Sequence, residues 1–587
     1  MQSNHFAHKL PFGAELQSDG NTVFRIWAPS VETIEIEIKS AGTHQMVPGE
    51  GGWFEQRIPC GAGTRYRYRM ADGLTIPDPA SRRQDGDVHG WSVVLDPHAY
   101  EWQNVGWNGR SWREAIVYEL HAGAMGGFSG VTGQLERLAD LGFTTIEIMP
   151  IADFPGQHNW GYDGVLPFAP DEAYGTPGEL KTLIDRAHGL GLSVMLDVVY
   201  NHFGPDGAYL HAYAKQFFDE GKHTPWGAAI DFTRPEVCSY FIQNALYWLN
   251  EYRFDGLRFD AVHAIAEPGF LPKMASAIRS GIEPGREIAL VLEHEGNKSS
   301  LLDGPFDAQW ADDAHHCLHV LLTGETEGYY ENFVNAAEQL ARCLREGFAY
   351  QGEKSPQTGK PRGEPSGHLP TTAFVYCLQN HDQIGNRAMG ERLIQLADPD
   401  ALAAATAMLM LAPMIPLVFM GEEFGSRAPF LFFTDHNAEL AKLVREGRRK
   451  EFAYFAAFAD PHRREQIPDP NAPETFALSV PNVEDGDPNV TALYRVLLDT
   501  RTRHIVPRLN NCRSAGATAL GKTGVLARWN MGDGATLILA TNFGSKALSI
   551  DPVDGPMLFE SRKGDAEIVR EGKLPPHTTV AFMLERT

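Results

Sequence analysis

The stretch GLRFDAVH, residues 256–263, decides the fold. It is a short strand-like run that ends abruptly at Asp260, and Arg258 and Asp260 stand two residues apart, so on an extended chain their side chains share one face. A buried strand that delivers a polar pair at its carboxyl end is what a parallel barrel strand looks like from sequence. Working outward, like runs recur at Ile116–His121, Thr145–Met149, Val194–Val199, Ile288–Glu293, Phe306–Trp310, Phe374–Leu378 and Leu417–Met420, with helix-length segments between them. Eight buried strands joined by helices is the count of a (β/α)8 TIM barrel, although alternation by itself also permits a doubly wound sheet.

The flanks have a different rhythm. Ile34, Ile36 and Ile38 alternate with Glu35 and Glu37, and Tyr66, Tyr68 and Met70 alternate with arginines, which is the two-residue period of half-buried strands. Val525–Trp529 and Thr536–Ala540 restore strand patterning near the end of the chain. The expectation is a multidomain α/β protein. Residues 1–98 form an N-terminal β-sandwich, residues 99–504 the barrel with inserted loops, and residues 505–587 a C-terminal antiparallel β-domain. PDPASRRQ (77–84) reads as a linker, and residues 353–367, rich in Pro, Gly and Lys, as a long loop. The run Leu402–Met420 is almost wholly apolar, but Pro413 and Pro416 interrupt it. It reads as a buried helix feeding a buried strand and not as a membrane span.

The ends of the expected strands carry the chemistry. Asp197 and His202 lie in DVVYNH, Arg258 and Asp260 in GLRFDAVH, Glu293 in VLEHE, and His381 and Asp382 in LQNHDQIGNR. Carboxylates converging on one barrel mouth repel each other, an arrangement that function must require. A paired Asp and Glu suits glycoside cleavage, which needs one protonated acid and one ionised nucleophile. Arg258 is expected to keep Asp260 ionised, and carboxylate neighbours to raise Glu293 so that it can give a proton.

Composition narrows the partners. The chain of 587 residues has 51 Lys and Arg against 75 Asp and Glu, a net charge of −24, which repels phosphate backbones and excludes nucleic acid as a partner. Such a surface suits a neutral substrate such as a sugar polymer. Six scattered cysteines form no ligand-like spacing and read as free thiols, and the first ten residues have no signal-peptide stretch, so a cytoplasmic enzyme is expected. Asp312, Asp313, His315 and His316 invite a metal reading, but their spacing matches no zinc signature. Substrate hydrogen bonding or a supporting role is expected there, with no metal and no cofactor.

DVVYNH, GLRFDAVH, the glutamate of VLEHE and QNHDQ, in that order and spacing, resemble the four motif regions of the α-amylase family of glycoside hydrolases. The resemblance implies Asp260 as nucleophile, Glu293 as general acid/base and Asp382 as transition-state stabiliser. It further implies that Asp197, His202, Arg258 and His381 hold the sugar at the cleavage point, and that Tyr162 in NWGYDG stacks beneath it. MPIADFPGQHNWGYDG, HTPWG, AQWADDAHH, LLTGETEGYY, QNHDQIGNRAMGER and MGEEFG resemble more narrowly the malto-oligosyltrehalose trehalohydrolases of that family. The implied reaction is hydrolysis of the α-1,4 bond beside the trehalose end of a maltooligosyl trehalose, with a maltooligosyl trehalose synthase as pathway partner. Trp226 and His263 are then expected on the trehalose side. HAGAMGGFSG (121–130) is shorter than the family's usual segment, and His294 and Glu295 depart from its commonest choice; both loops are expected near substrate. A glucan branching transferase, a general α-1,4-glucan hydrolase and a non-catalytic glucan-binding barrel are the rival readings.

Overall fold

The computed structural model describes residues 5–458 and 460–586. Eight parallel strands close a barrel: β1 (Val117–Leu120), β2 (Thr145–Ile148), β3 (Ser193–Val198), β4 (Gly256–Phe259), β5 (Ala289–Leu292), β6 (Ala308–Trp310), β7 (Phe374–Cys377) and β8 (Ile415–Phe419). They follow one another in chain order, and β1 pairs with both β2 and β8, Val117 standing opposite Thr145 and Leu417. Closure removes the doubly wound alternative. The strands are short and buried along their whole length, as parallel strands covered by helices must be. The helix Gly127–Leu141 shows how the cover is made, burying Phe128, Val131, Leu135, Leu138 and Leu141 at helical spacing.

The apolar run at 402–420 is a helix, Pro399–Leu411, that turns directly into β8, as its prolines require. Asp398 caps its N-terminus by accepting from the N–H groups of Asp400 and Ala401. At the other end the fully buried Arg501 donates to the carbonyls of Met410, Ala412 and Met414 at 2.9, 2.6 and 2.6 Å, satisfying acceptors that the helix end leaves open. Among the described residues, no helix is long and apolar enough to cross a membrane.

The N-terminal region is a sandwich of antiparallel strands. Ile34–Ile38 pairs with Arg65–Met70 so that Ile34, Ile36 and Ile38 face Met70, Tyr68 and Tyr66, and all six are buried. The expected linker at 77–84 is instead a packed joint. Asp78 is fully buried and accepts from Tyr66 Oη at 2.7 Å. Arg82, 6% exposed, reaches Glu251 of the barrel at 3.4 Å, and Tyr240 Oη donates to Pro79 O at 2.5 Å. The C-terminal sheet contains Gly524–Asn530 and Thr536–Asn542 as neighbours. It is bonded to the barrel helices, with Trp529 donating to Leu344 O at 3.2 Å and Thr579 to Ala404 O at 2.7 Å.

Candidate active site

Arg258 organises the mouth of the barrel. Its side chain is wholly buried on β4, over the ring of Trp310 at 4.2 Å. One nitrogen, Nη1, donates to Asp197 Oδ2 at 2.6 Å and Asp260 Oδ1 at 3.0 Å; the other, Nη2, donates to Glu293 Oε2 at 2.7 Å. A planar guanidinium is suited to this because its donors are fixed in one fork. The strand ends of β3, β4 and β5 are thereby joined through a single cation.

The other expected residues stand around it. Tyr162 Oη donates to Asp197 Oδ2 at 2.7 Å and lies 2.8 Å from His381 Nε2, the two rings being stacked at 5.2 Å. His381 Nε2 is also 3.5 Å from Asp382 Oδ1. Asn380 caps the short helix that carries both, its side chain accepting from Asp382 N at 2.9 Å. His202 is held by the Asn201 side chain at 2.6 Å and by Tyr162 O at 2.9 Å. Asp197, Tyr162, His202, Arg258, Asp260, Glu293, His381 and Asp382 therefore meet at one barrel mouth.

Trp226 and His263 do not share a wall. Trp226 lies on the turn of a hairpin between Phe218–Thr224 and Gly227–Ile230, and its half-exposed ring stacks on His202 at 4.5 Å. His263 instead lines a cleft of about 750 Å³ together with Glu293, Glu295, Asp312, His316 and Asp382. Tyr329, Tyr330, Phe452, Phe455 and Phe458 give this cleft aromatic walls, which suit sugar rings. The 121–130 loop does not reach it. His121 is fully buried, 2.8 Å from Asn159 O and packed on Tyr174 and Phe433.

The charge balance of the ligand-free site differs from the sequence expectation. Burial acts to raise both carboxyls of the reacting pair. For Glu293 it is outweighed by Arg258 and by the N–H of Ala261, which donates to Oε2 at 2.9 Å, and the carboxyl is held below its usual range. Asp260 is pushed well above its usual range by burial and by the charge of Glu293. The reversal has a local cause in the backbone. Ala261 is left-handed at φ 40°, ψ 44°, a conformation that costs a non-glycine residue about 1 kcal/mol or more, and that turn aims its N–H at Glu293.

The four residues after β6 divide by role. Asp312 lines the cleft and is pushed up to about 7, by burial first and then by Glu293 and Asp382. His316 also faces the cleft. Asp313 turns away and is fully buried. It accepts from Asn297 Nδ2 at 2.9 Å, Ala349 N at 2.9 Å, Tyr350 N at 3.1 Å and Arg362 Nη2 at 2.7 Å. His315 bonds Leu378 O through Nδ1 at 2.6 Å. The 353–367 segment is tied into this knot through Arg362, and a bridge between Lys354 and Pro361 closes the segment on itself.

Two buried glutamates escaped the sequence reading. Glu119 on β1 places Oε1 2.5 Å from His381 Nδ1, both side chains 1% exposed. Glu147 on β2 is also buried and is raised well above its usual range by burial, then by the charges of Glu119 and Asp197. Both lie inside strands, where polarity at alternate positions of VYEL and TIEI was the available signal.

The comparisons identify the domains and the relatives of this chain. Residues 11–109 match carbohydrate-binding module 48, the isoamylase N-terminal domain; residues 81–226 match the α-amylase catalytic domain; and residues 512–581 match a domain of unknown function, DUF3459. A malto-oligosyltrehalose trehalohydrolase of Deinococcus radiodurans is 37% identical over 95% of this chain and 92% of its own. That of Saccharolobus solfataricus is 39% identical over 75% and 80% respectively. The crystal structure of a Salmonella typhimurium protein assigned as an α-amylase superposes with a TM-score of 0.92 at 42% identity, covering 98% of this chain and all of that one. The chain belongs to the malto-oligosyltrehalose trehalohydrolases, within the α-amylase family of glycoside hydrolases.

Proposed function

We propose that the enzyme hydrolyses the α-1,4-glucosidic bond next to the trehalose end of a maltooligosyl trehalose, with retention of configuration, releasing trehalose and a maltooligosaccharide. The observation that carries this reading is the single guanidinium of Arg258 spanning Asp260 and Glu293, with Asp382 on the same cleft. Asp260 attacks the anomeric carbon and Glu293 protonates the leaving oxygen. A covalent glycosyl-enzyme forms, and Glu293 then takes a proton from the water that hydrolyses it. This division of roles requires Asp260 ionised and Glu293 protonated when the sugar is bound. Asp382 faces the developing positive charge on the sugar, and Tyr162, Asp197, His202 and His381 hold that ring.

The chemistry asked of the chain requires only carboxylates, imidazoles and water, so no metal and no cofactor enters the mechanism. Six free thiols suit a cytoplasmic location, with a maltooligosyl trehalose synthase supplying the substrate. The cleft beyond Glu293, with His263 and its aromatic walls, is the place for the trehalose unit. The test is product chromatography on maltotriosyl trehalose and maltopentaose, which have equal ring number. Trehalose released from the first much faster than any product from the second supports the reading. Equal rates leave a general α-glucan hydrolase, and chain transfer in place of hydrolysis leaves a branching enzyme.

A further inference from the structure

His381 sits between two carboxylates. Nδ1 faces Glu119 Oε1 at 2.5 Å, and Nε2 faces Tyr162 Oη at 2.8 Å and Asp382 Oδ1 at 3.5 Å. Tyr162 gives its own proton to Asp197 at 2.7 Å, so its oxygen is free to accept. Each imidazole nitrogen thus meets an acceptor, and an imidazole satisfies two acceptors only when both nitrogens carry protons. Glu119 has no other role in view: it is 1% exposed, and its second oxygen, Oε2, has no partner.

We propose that Glu119 is a positioning residue of this active site, the buried counter-ion that keeps His381 cationic opposite Asp382. The proposal rests on the reading of Asp260, Glu293 and Asp382 as the reacting carboxylates. A histidine in so buried a place would ordinarily be neutral. Burial does act to lower His381, but Asp382 and Glu119 together outweigh it and push it up to about 9. The remaining groups facing it are Arg258, which opposes the charge, and Asp197, Glu147 and Glu293, which are carboxyls. His121 is neutral, lowered to about 4 by burial and so unable to compete for the proton. The consequence falls on Asp382: burial raises its carboxyl, and the His381 cation is the largest influence lowering it.

The test is Glu119→Gln, which keeps the shape and one acceptor oxygen for Nδ1 while removing the charge. The alkaline limb of its kcat/KM profile should move down by about one pH unit or more. Its activity at pH 8.5 should fall about threefold or more further than at pH 6. In a His381→Gln background the same substitution should move nothing. Glu119→Asp, which retains the charge, should restore the wild-type limb. A Glu119→Gln profile that superimposes on wild type, or shifts equally without His381, overturns the proposal. If Glu119→Gln does not fold, the melting temperatures of wild type and His381→Gln decide. A His raised from 6.5 to about 9 gives stability that is complete below pH 6.5 and lost as pH rises through 9. The gap between the two proteins should therefore shrink from pH 7 to pH 10, and a constant gap overturns the proposal. Asp260→Asn, assayed in parallel, separates the two failures: if it is inactive while Glu119→Gln is unshifted, only the role of Glu119 falls.

Discussion

Asp313 offers the sharpest test of how the site is supported. Its carboxylate is fully buried and takes four donors, two of them the backbone N–H groups of Ala349 and Tyr350. In Asp313→Ala, Arg362, which lines the cleft, can turn toward water and the Asn297 side chain can re-orient, but the two N–H groups cannot leave. Each buried donor without a partner costs ~1–3 kcal/mol, so the pair costs ~3–4 kcal/mol. At about 2 °C per kcal/mol for a large domain, the barrel's melting temperature should fall by about 6–8 °C. Asp313→Asn keeps an oxygen for the N–H pair and loses mainly the 2.7 Å ion pair with Arg362, so about half that fall is expected. Differential scanning calorimetry reads both. Arg362 lines the cleft, so KM should rise in both variants while the pH profile stays unchanged. A fall below about 2 °C for the alanine variant would refute the argument, because the N–H groups would then have found other partners.

Asp260→Asn should lower kcat by at least about a thousandfold with little change in melting temperature, and retention of a tenth of the wild-type rate removes its nucleophile role. The first reducing-end product, followed by proton NMR before mutarotation, should be the α-anomer; the β-anomer would mean inversion and a carboxyl spacing of about 6.5–9.5 Å instead of about 5–5.5 Å. His263→Ala should slow cleavage of maltotriosyl trehalose more than that of maltopentaose, by about tenfold, since a site built on hydrogen bonds loses discrimination when one is removed. Trp226→Ala, whose ring stacks on His202 and not in the cleft, should slow both substrates alike, and selective slowing of the trehalose-ended one would place it on the trehalose side.

The barrel was legible because its strands are apolar on both faces and end in charged residues, a contrast that survives without any neighbour in view. Arg258 and Asp260 were legible for the same reason, two apart on one strand. Their electrostatics were not. Which carboxyl receives the guanidinium's second nitrogen depends on where β5 ends relative to β4, and the N–H that favours Glu293 comes from a left-handed Ala261 that sequence does not announce. Glu119 was hidden because its partner is 262 positions away. The joint at 77–84 looked like a linker because Pro, Asp and Arg are turn and surface residues by habit. Only the contacts of Asp78 with Tyr66 and of Arg82 with Glu251 make it interior. The stacking of Trp226 on His202 was not legible either, because the two are 24 positions apart and meet only through the hairpin that carries Trp226.

The crowding of carboxyls around Arg258 and His381 also sets what else the mouth of the barrel will admit. Asp197, Asp260, Glu293, Asp312 and Asp382 surround one guanidinium and one imidazolium, so the electrostatic potential there favours positive guests. Small protonated amines, including amine buffers and sugar mimics with nitrogen in place of the ring oxygen, should be attracted as inhibitors. Phosphorylated or sulfated oligosaccharides should be turned away before any hydroxyl is read. A neutral glucan meets neither force, and its selection is left to shape and hydrogen bonding alone.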